Sequence, residues 1–232
     1  MTDVTGQGVP EESSGRCRRE GRPDRAGGVA AVEYLVTMTT RVPEGTSEAE
    51  VDDVRAREAA NSRGLVEKGQ LLRLWRPPLQ PGEWRTLGLF AAPDAERLEQ
   101  VLASMPLRVW RHDEVEPLMP HPNDPGPDFV GGSVTGPEFL VNFALVATDG
   151  TPSRALEDAT AAEAVRTKEL AAQGHLVRLW RTPGEGRALG LWRARDAAEM
   201  RTILGSLPLT PWLQVETTPL SEHPNDPGPD RD

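Results

Sequence analysis

Two rhythms of apolar residues alternate along this chain, and the whole alternation occurs twice. An apolar-rich run over Tyr34–Val42 predicts a buried strand, and Phe139–Ala147 predicts its counterpart. Next comes a stripe at spacings of three and four, Val51, Val54, Glu58, Asn61 and Leu65, which predicts a helix. Leu156, Ala159, Glu163 and Leu170 form the same stripe further along. Ser47 and Glu50 fit a capping box, because hydroxyl and carboxylate can satisfy free helix amides reciprocally. Thr151-Pro152 sets proline at the first helical position, and Gly69 and Gly174 end the two helices. Short strands follow near Leu71–Arg76 and Thr86–Ala91, with equivalents at Leu176–Arg181 and Ala188–Arg193. Asp94 and Asp196 start a second helix, the latter with Glu199 completing a capping box, and Pro106 and Pro208 stop it. A last strand runs around His112–Leu118 and Gln214–Leu220.

The two halves match residue by residue. Glu33-Tyr34-Leu35-Val36 recurs as Glu138-Phe139-Leu140-Val141, and Leu72-Arg73-Leu74-Trp75-Arg76 as Val177-Arg178-Leu179-Trp180-Arg181. His121 to Asp128 returns verbatim as His223 to Asp230. The chain therefore divides into a tail over residues 1–30, a repeat over 31–120, a Pro- and Gly-rich linker over 121–137 and a repeat over 138–232. Each repeat reads as βαββαβ, an α+β unit whose antiparallel sheet carries both helices on one face. The other face needs a cover. Two linked copies can cover each other, sheet to sheet, as a pseudo-dimer within one chain.

Composition narrows the partners. Asp and Glu number 36 against 26 Lys and Arg, a net charge of -10 that argues against binding a phosphate backbone. The five arginines of the tail, Arg16 to Arg25, are matched by five acids, so that segment reads as a solvated, disordered polyampholyte. No apolar stretch approaches the ~20 residues that span a bilayer, and the first residues lack the apolar core of a secretory signal. A cytoplasmic protein with a small-molecule substrate is expected, with neither nucleic acid nor membrane as partner. Cys17 is the only cysteine, and the four histidines lack ligand spacing, so no protein-built metal site is expected.

Two features carry candidate chemistry. Glu58 and Glu163 occupy the same place on the apolar stripe of the first helix. Desolvation there would raise a carboxyl pKa into the range useful for shuttling protons; alternatively each glutamate sits on the margin and reaches water or an arginine. The Leu-Trp-Arg strand puts Leu71, Arg73 and Trp75 on one face if it alternates regularly. Arg73 with Trp75, and Arg178 with Trp180, then either anchor an anionic or planar ligand or form a structural pairing at the sheet surface. Trp110 and Trp212, just after the second helix, are further candidates for substrate contact or for core and interface packing. His121 and His223 read as turn residues.

In order along each repeat come the opening strand, the helix with Glu58 or Glu163, glycine followed by Leu-Trp-Arg, a Leu-Pro-Leu-type ending of the second helix (Leu207-Pro208-Leu209 in the second repeat) and a closing His-Pro. That set resembles the muconolactone delta-isomerases, small bacterial enzymes of aromatic catabolism. The resemblance implies tandem ferredoxin-like repeats forming an intramolecular dimeric α+β barrel, with further association into rings. It also implies an isomerase that moves a proton within an unsaturated lactone by glutamate acid/base catalysis, without metal or organic cofactor. Glu58 and Glu163 match the family's acid/base position. The lysine that typically follows that glutamate is replaced by Ala59 and Ala164, which opens the way to a changed substrate. A natural-product cyclase of secondary metabolism on the same barrel, and a non-catalytic binding or oligomerisation protein, are the alternative readings.

Overall fold

The computed structural model describes residues 31–146 and 153–228. The expected tail over 1–30 and the Thr151-Pro152 helix start lie outside them. The first repeat runs β1 (Val32–Thr40), α1 (Glu48–Glu67), β2 (Leu71–Arg76), β3 (Arg85–Ala92), α2 (Ala95–Ala103) and β4 (Arg111–Pro120). The second follows with β5 (Glu138–Leu145), α3 (Ser153–Gln173), β6 (Leu176–Arg181), β7 (Arg187–Arg193), α4 (Ala197–Gly205) and β8 (Leu213–Glu222). Helix starts follow the caps read from the sequence: Ser47, Asp94 and Asp196 each accept a first-turn amide. The prolines after α2 and α4 do not lead into loops. They introduce short 3-10 turns, Pro106–Trp110 and Thr210–Trp212.

Each repeat forms a four-stranded antiparallel sheet in the ferredoxin-like order, β4-β1-β3-β2 and β8-β5-β7-β6. The two sheets join at both edges into one closed eight-stranded barrel. Closure uses residues that the sequence pattern leaves out. Met119 and Pro120 extend β4 to pair with Arg181 and Trp180, while Ser221 and Glu222 extend β8 to pair with Arg76 and Trp75. Closing the sheet removes its free edges, which would otherwise remain exposed to strand addition.

Three cores result. The barrel interior holds leucines from both repeats around Trp75 and Trp180. The outer face of each sheet packs against its own helices, with Val36, Phe90 and Leu102 at the centre of one core and Val141, Trp192 and Met200 at the centre of the other. Gly88 and Gly190 make room there. A Cβ at Gly88 would meet the Phe90 ring at 2.4 Å, and one at Gly190 the Trp192 indole at 2.1 Å. The linker is also packed, since the Gly132 amide donates to the Ala172 carbonyl at 2.8 Å.

Regular alternation fails in β2, and this corrects the expected facing of Leu71. A bulge between Leu71 and Arg73 puts Leu71 and Leu74 together in the helix-side core, whereas Leu72 turns with Trp75 to the interior. The same bulge lies between Leu176 and Arg178.

The repeats are tied by reciprocal buried ion clusters. Arg73 binds Glu138 of β5 at 2.7 Å and Asp226, beyond β8, at 3.1 Å. Arg178 binds Glu33 of β1 at 2.7 Å and Asp124, beyond β4, at 3.2 Å. The Trp75 and Trp180 indole N–H groups donate to those same two glutamates, and each guanidinium lies over its own tryptophan ring. Removing one partner strands buried charge, which costs about 3–5 kcal/mol. Arg73→Ala should therefore lower the melting temperature by roughly 10 °C on the scale of a chain this size. A calorimetric shift under about 2 °C would show that the cluster does not hold the repeats together.

Candidate active site

Each helix glutamate owes its position to the turn after the second helix. Pro106 contributes no amide, so Leu107 presents the first free N–H of the 3-10 turn, and Glu58 Oε2 accepts it at 2.9 Å. Leu209 donates to Glu163 Oε2 at 3.0 Å in the same way. The carboxyls are 7% and 8% exposed as residues, so burial raises both pKa values above the ordinary glutamate range. The amide bonds pull in the opposite direction without cancelling that effect.

The two sites then diverge. Arg111 opens β4, 2% exposed at its side chain, and donates to Glu58 Oε1 at 3.3 Å. Its remaining donors grip Asp113 at 2.6 and 3.0 Å, and Arg108 pairs with the same aspartate. For Glu58, Arg111 favours the ionised form and Asp113 opposes it. The second repeat has Leu213 and Val215 at these positions. Glu163 is left with the Leu209 amide and no ion pair among the described residues.

Both glutamates line cavities on the outer face of the barrel, between the long helix and the sheet. The first measures about 690 Å³ and the second about 590 Å³. Each is completed by the segment that follows the last strand of the other repeat. His223, Pro224 and Asn225 wall the first cavity, and His121, Pro122 and Asn123 wall the second. Asp226 and Asp124, the next residues, are the ones that bind Arg73 and Arg178. In each segment the histidine Nδ1 accepts the Asn225 or Asn123 amide at 3.1 Å, so the neutral ring carries its proton on Nε2. Burial, reinforced by Arg76, pushes His223 down to about 4 and keeps it neutral.

Arg73, Trp75, Arg178 and Trp180, candidates for substrate binding, are absent from both cavity linings. Their contacts are those of the ion clusters that tie the repeats together. Trp110 and Trp212 are half-buried and outside both cavities; their carbonyls accept the Arg41 and Val146 amides. The cations at the first cavity, none of them among the sequence candidates, are Arg111, Arg76, Arg85 and Arg55, the last with its guanidinium 4.6 Å from the Trp84 ring centroid. A signal for Arg111 was present: Arg111 and Asp113 are a charged pair where the aligned repeat has Leu213 and Val215. Among the described residues no three His, Cys, Asp or Glu side chains converge to hold a metal ion, and no helix is long and apolar enough to cross a membrane.

A closed barrel of two ferredoxin-like repeats, each with a buried carboxyl facing a cavity walled by the other, defines the class. The chain belongs to the muconolactone delta-isomerase family, whose model matches residues 32–124 and again 138–226. It is similar to the muconolactone delta-isomerase of Cupriavidus pinatubonensis, 31% identical over 90 residues, which cover 39% of this chain and 95% of that one. Among solved structures it resembles a heme-binding protein from Thermus thermophilus, with 12% identity, a TM-score of 0.54 and coverage of 84% and 92%. Chlorite dismutase from Candidatus Nitrospira defluvii is similar at 11% identity and a TM-score of 0.51, over 82% of this chain and 91% of that one. At such identities these two likenesses show the fold.

Glu163 allows a test of this electrostatic picture. With its pKa raised by burial, the folded state holds the proton more tightly than the unfolded state does. That contribution is complete below the unfolded pKa and is lost as pH rises through the folded one. Glu163→Gln should thus gain melting temperature over the parent near pH 8, by about 2–4 °C per ~1 kcal/mol, and little near pH 4. A gain that grows towards acid pH would reverse the assigned sign.

Proposed function

We propose that the chain is an isomerase moving a proton within an unsaturated lactone or related carbonyl compound, with Glu58 as acid and base. One observation carries the reading: a buried glutamate, held by a backbone amide and an arginine, facing a cavity of about 690 Å³. Family membership supports the isomerase class.

In this reading the Leu107 amide and Arg111 hold Glu58 as the carboxylate when substrate enters. The carboxylate removes a proton from a carbon conjugated with a carbonyl, and the electron pair delocalises onto the carbonyl oxygen. The resulting carboxylic acid returns the proton at another conjugated carbon, so the double bond moves with no net redox change. Arginines at the cavity stabilise the enolate-like charge while it exists. They also supply the cation that Ala59 does not. Glu163 serves as a weaker acid/base because it lacks the arginine.

Glu58→Gln preserves shape and hydrogen bonding but carries no proton. Turnover of a carboxylated butenolide should fall by about two to four orders of magnitude, the scale of a lost general acid/base. Glu163→Gln should cost markedly less. The parent's kcat/KM should fall on the acid side with an apparent pKa above the usual glutamate range, in line with the upward shift at Glu58. Full turnover in both single variants and the double variant would remove the glutamates from the mechanism.

A further inference from the structure

Aligning the repeats by sequence pairs most of the lining of the two cavities, and the replacements leave the first with more cationic side chains. Thr40, Thr86 and Arg111 of the first cavity correspond to Leu145, Ala188 and Leu213 of the second. Arg55 and Trp84 at the first correspond to Thr160 and Gly186. The first cavity is thereby lined by four arginines against two glutamates, the second by two of each. Even the retained pair differs. The Arg76 side chain has no hydrogen-bond or ion-pair partner among the described residues, whereas Arg181 donates its Nε to the Pro120 carbonyl at 2.9 Å. The second cavity gains the hydrocarbon of Phe143, Leu145 and Leu213, and keeps Arg181 and Arg187.

We propose that the two cavities are divided by ligand charge: the first takes a carboxylate-bearing ligand, the second a neutral, predominantly hydrocarbon one. The physical basis is desolvation. An anion entering the first cavity exchanges water for arginine donors, whereas the second offers two fewer arginines, one with its Nε already engaged, and more leucine and phenylalanine beside a carboxyl with no ion pair among the described residues. A neutral planar ligand loses little on entering the second cavity and gains by burying its apolar surface. Fusion of the repeats allows this division, because two cavities formed by one repeated sequence would be identical. The inference rests on the reading of these cavities as ligand sites, but not on turnover.

The test uses two probes of one shape, trans-cinnamate and trans-cinnamamide, titrated calorimetrically into the full chain near pH 7.5. Cinnamate should occupy one site and lose about tenfold in affinity in Arg76→Gln, an exposed position where substitution leaves the fold intact. Cinnamamide should bind with its affinity unchanged by Arg76→Gln. Leu213→Arg should weaken cinnamamide about tenfold and create a second cinnamate site; if that variant unfolds, Leu145→Thr with Ala188→Thr should still weaken cinnamamide selectively. Affinities for the two probes within about threefold at both cavities would overturn the division, as would no cinnamamide binding at millimolar concentration. Either result alongside Glu58-dependent turnover leaves the proposed function standing. Charge-sorted binding with turnover independent of Glu58 does the reverse.

Discussion

The reciprocal clusters of Arg73 with Glu138 and Asp226, and Arg178 with Glu33 and Asp124, are the constraint on which the rest depends. Each joins a bulged strand of one repeat to the opening strand and the tail segment of the other. The arginines are nearly buried, so their charges need several fixed carboxylate oxygens, and only the partner repeat supplies them. Asp226 also accepts the Leu74 amide, and Asp124 the Leu179 amide, leaving neither aspartate free to swing away. One set of contacts thus closes the barrel, orients both interior tryptophans and presses a His-Pro-Asn segment over the opposite cavity. The aspartate shared by the two octapeptides follows from this: the same arginine cluster must be met twice.

A second economy operates at the glutamates. Burying a carboxyl is unfavourable unless its oxygens find donors. The proline that stops the second helix leaves the next amide unsatisfied, and the glutamate on the long helix accepts it. Donor and acceptor solve each other's problem, which makes a buried carboxyl tolerable in both repeats. What each carboxyl can then do depends on the neighbouring strand: β4 brings Arg111 and Asp113, and β8 brings leucine and valine. A common scaffold therefore carries two electrostatic environments through changes at a few lining positions.

Much was legible in the order of residues. The repeat, the βαββαβ succession, the helix caps and the glutamate on the apolar stripe are set by local periodicity, by side chains capping amides three residues away and by proline and glycine geometry. These are short-range causes, and a sequence displays them directly. The extent of the last strands was not legible, because prolines near their ends look like stops; those ends pair only when the other sheet arrives. The facing of Leu71 was hidden by a bulge that the β2–β3 register imposes. Arg73 and Arg178 looked equally suited to a ligand or to a structural partner, since their carboxylates lie in the other repeat. In the closed barrel those carboxylates come within reach of both guanidinium groups. Packing of β4 and α1 within the first repeat sets Arg111 beside Glu58, 53 residues away, and barrel closure brings His223 to the first cavity. Contacts of that range carry no local periodic signature, because they depend on how separate elements pack in three dimensions.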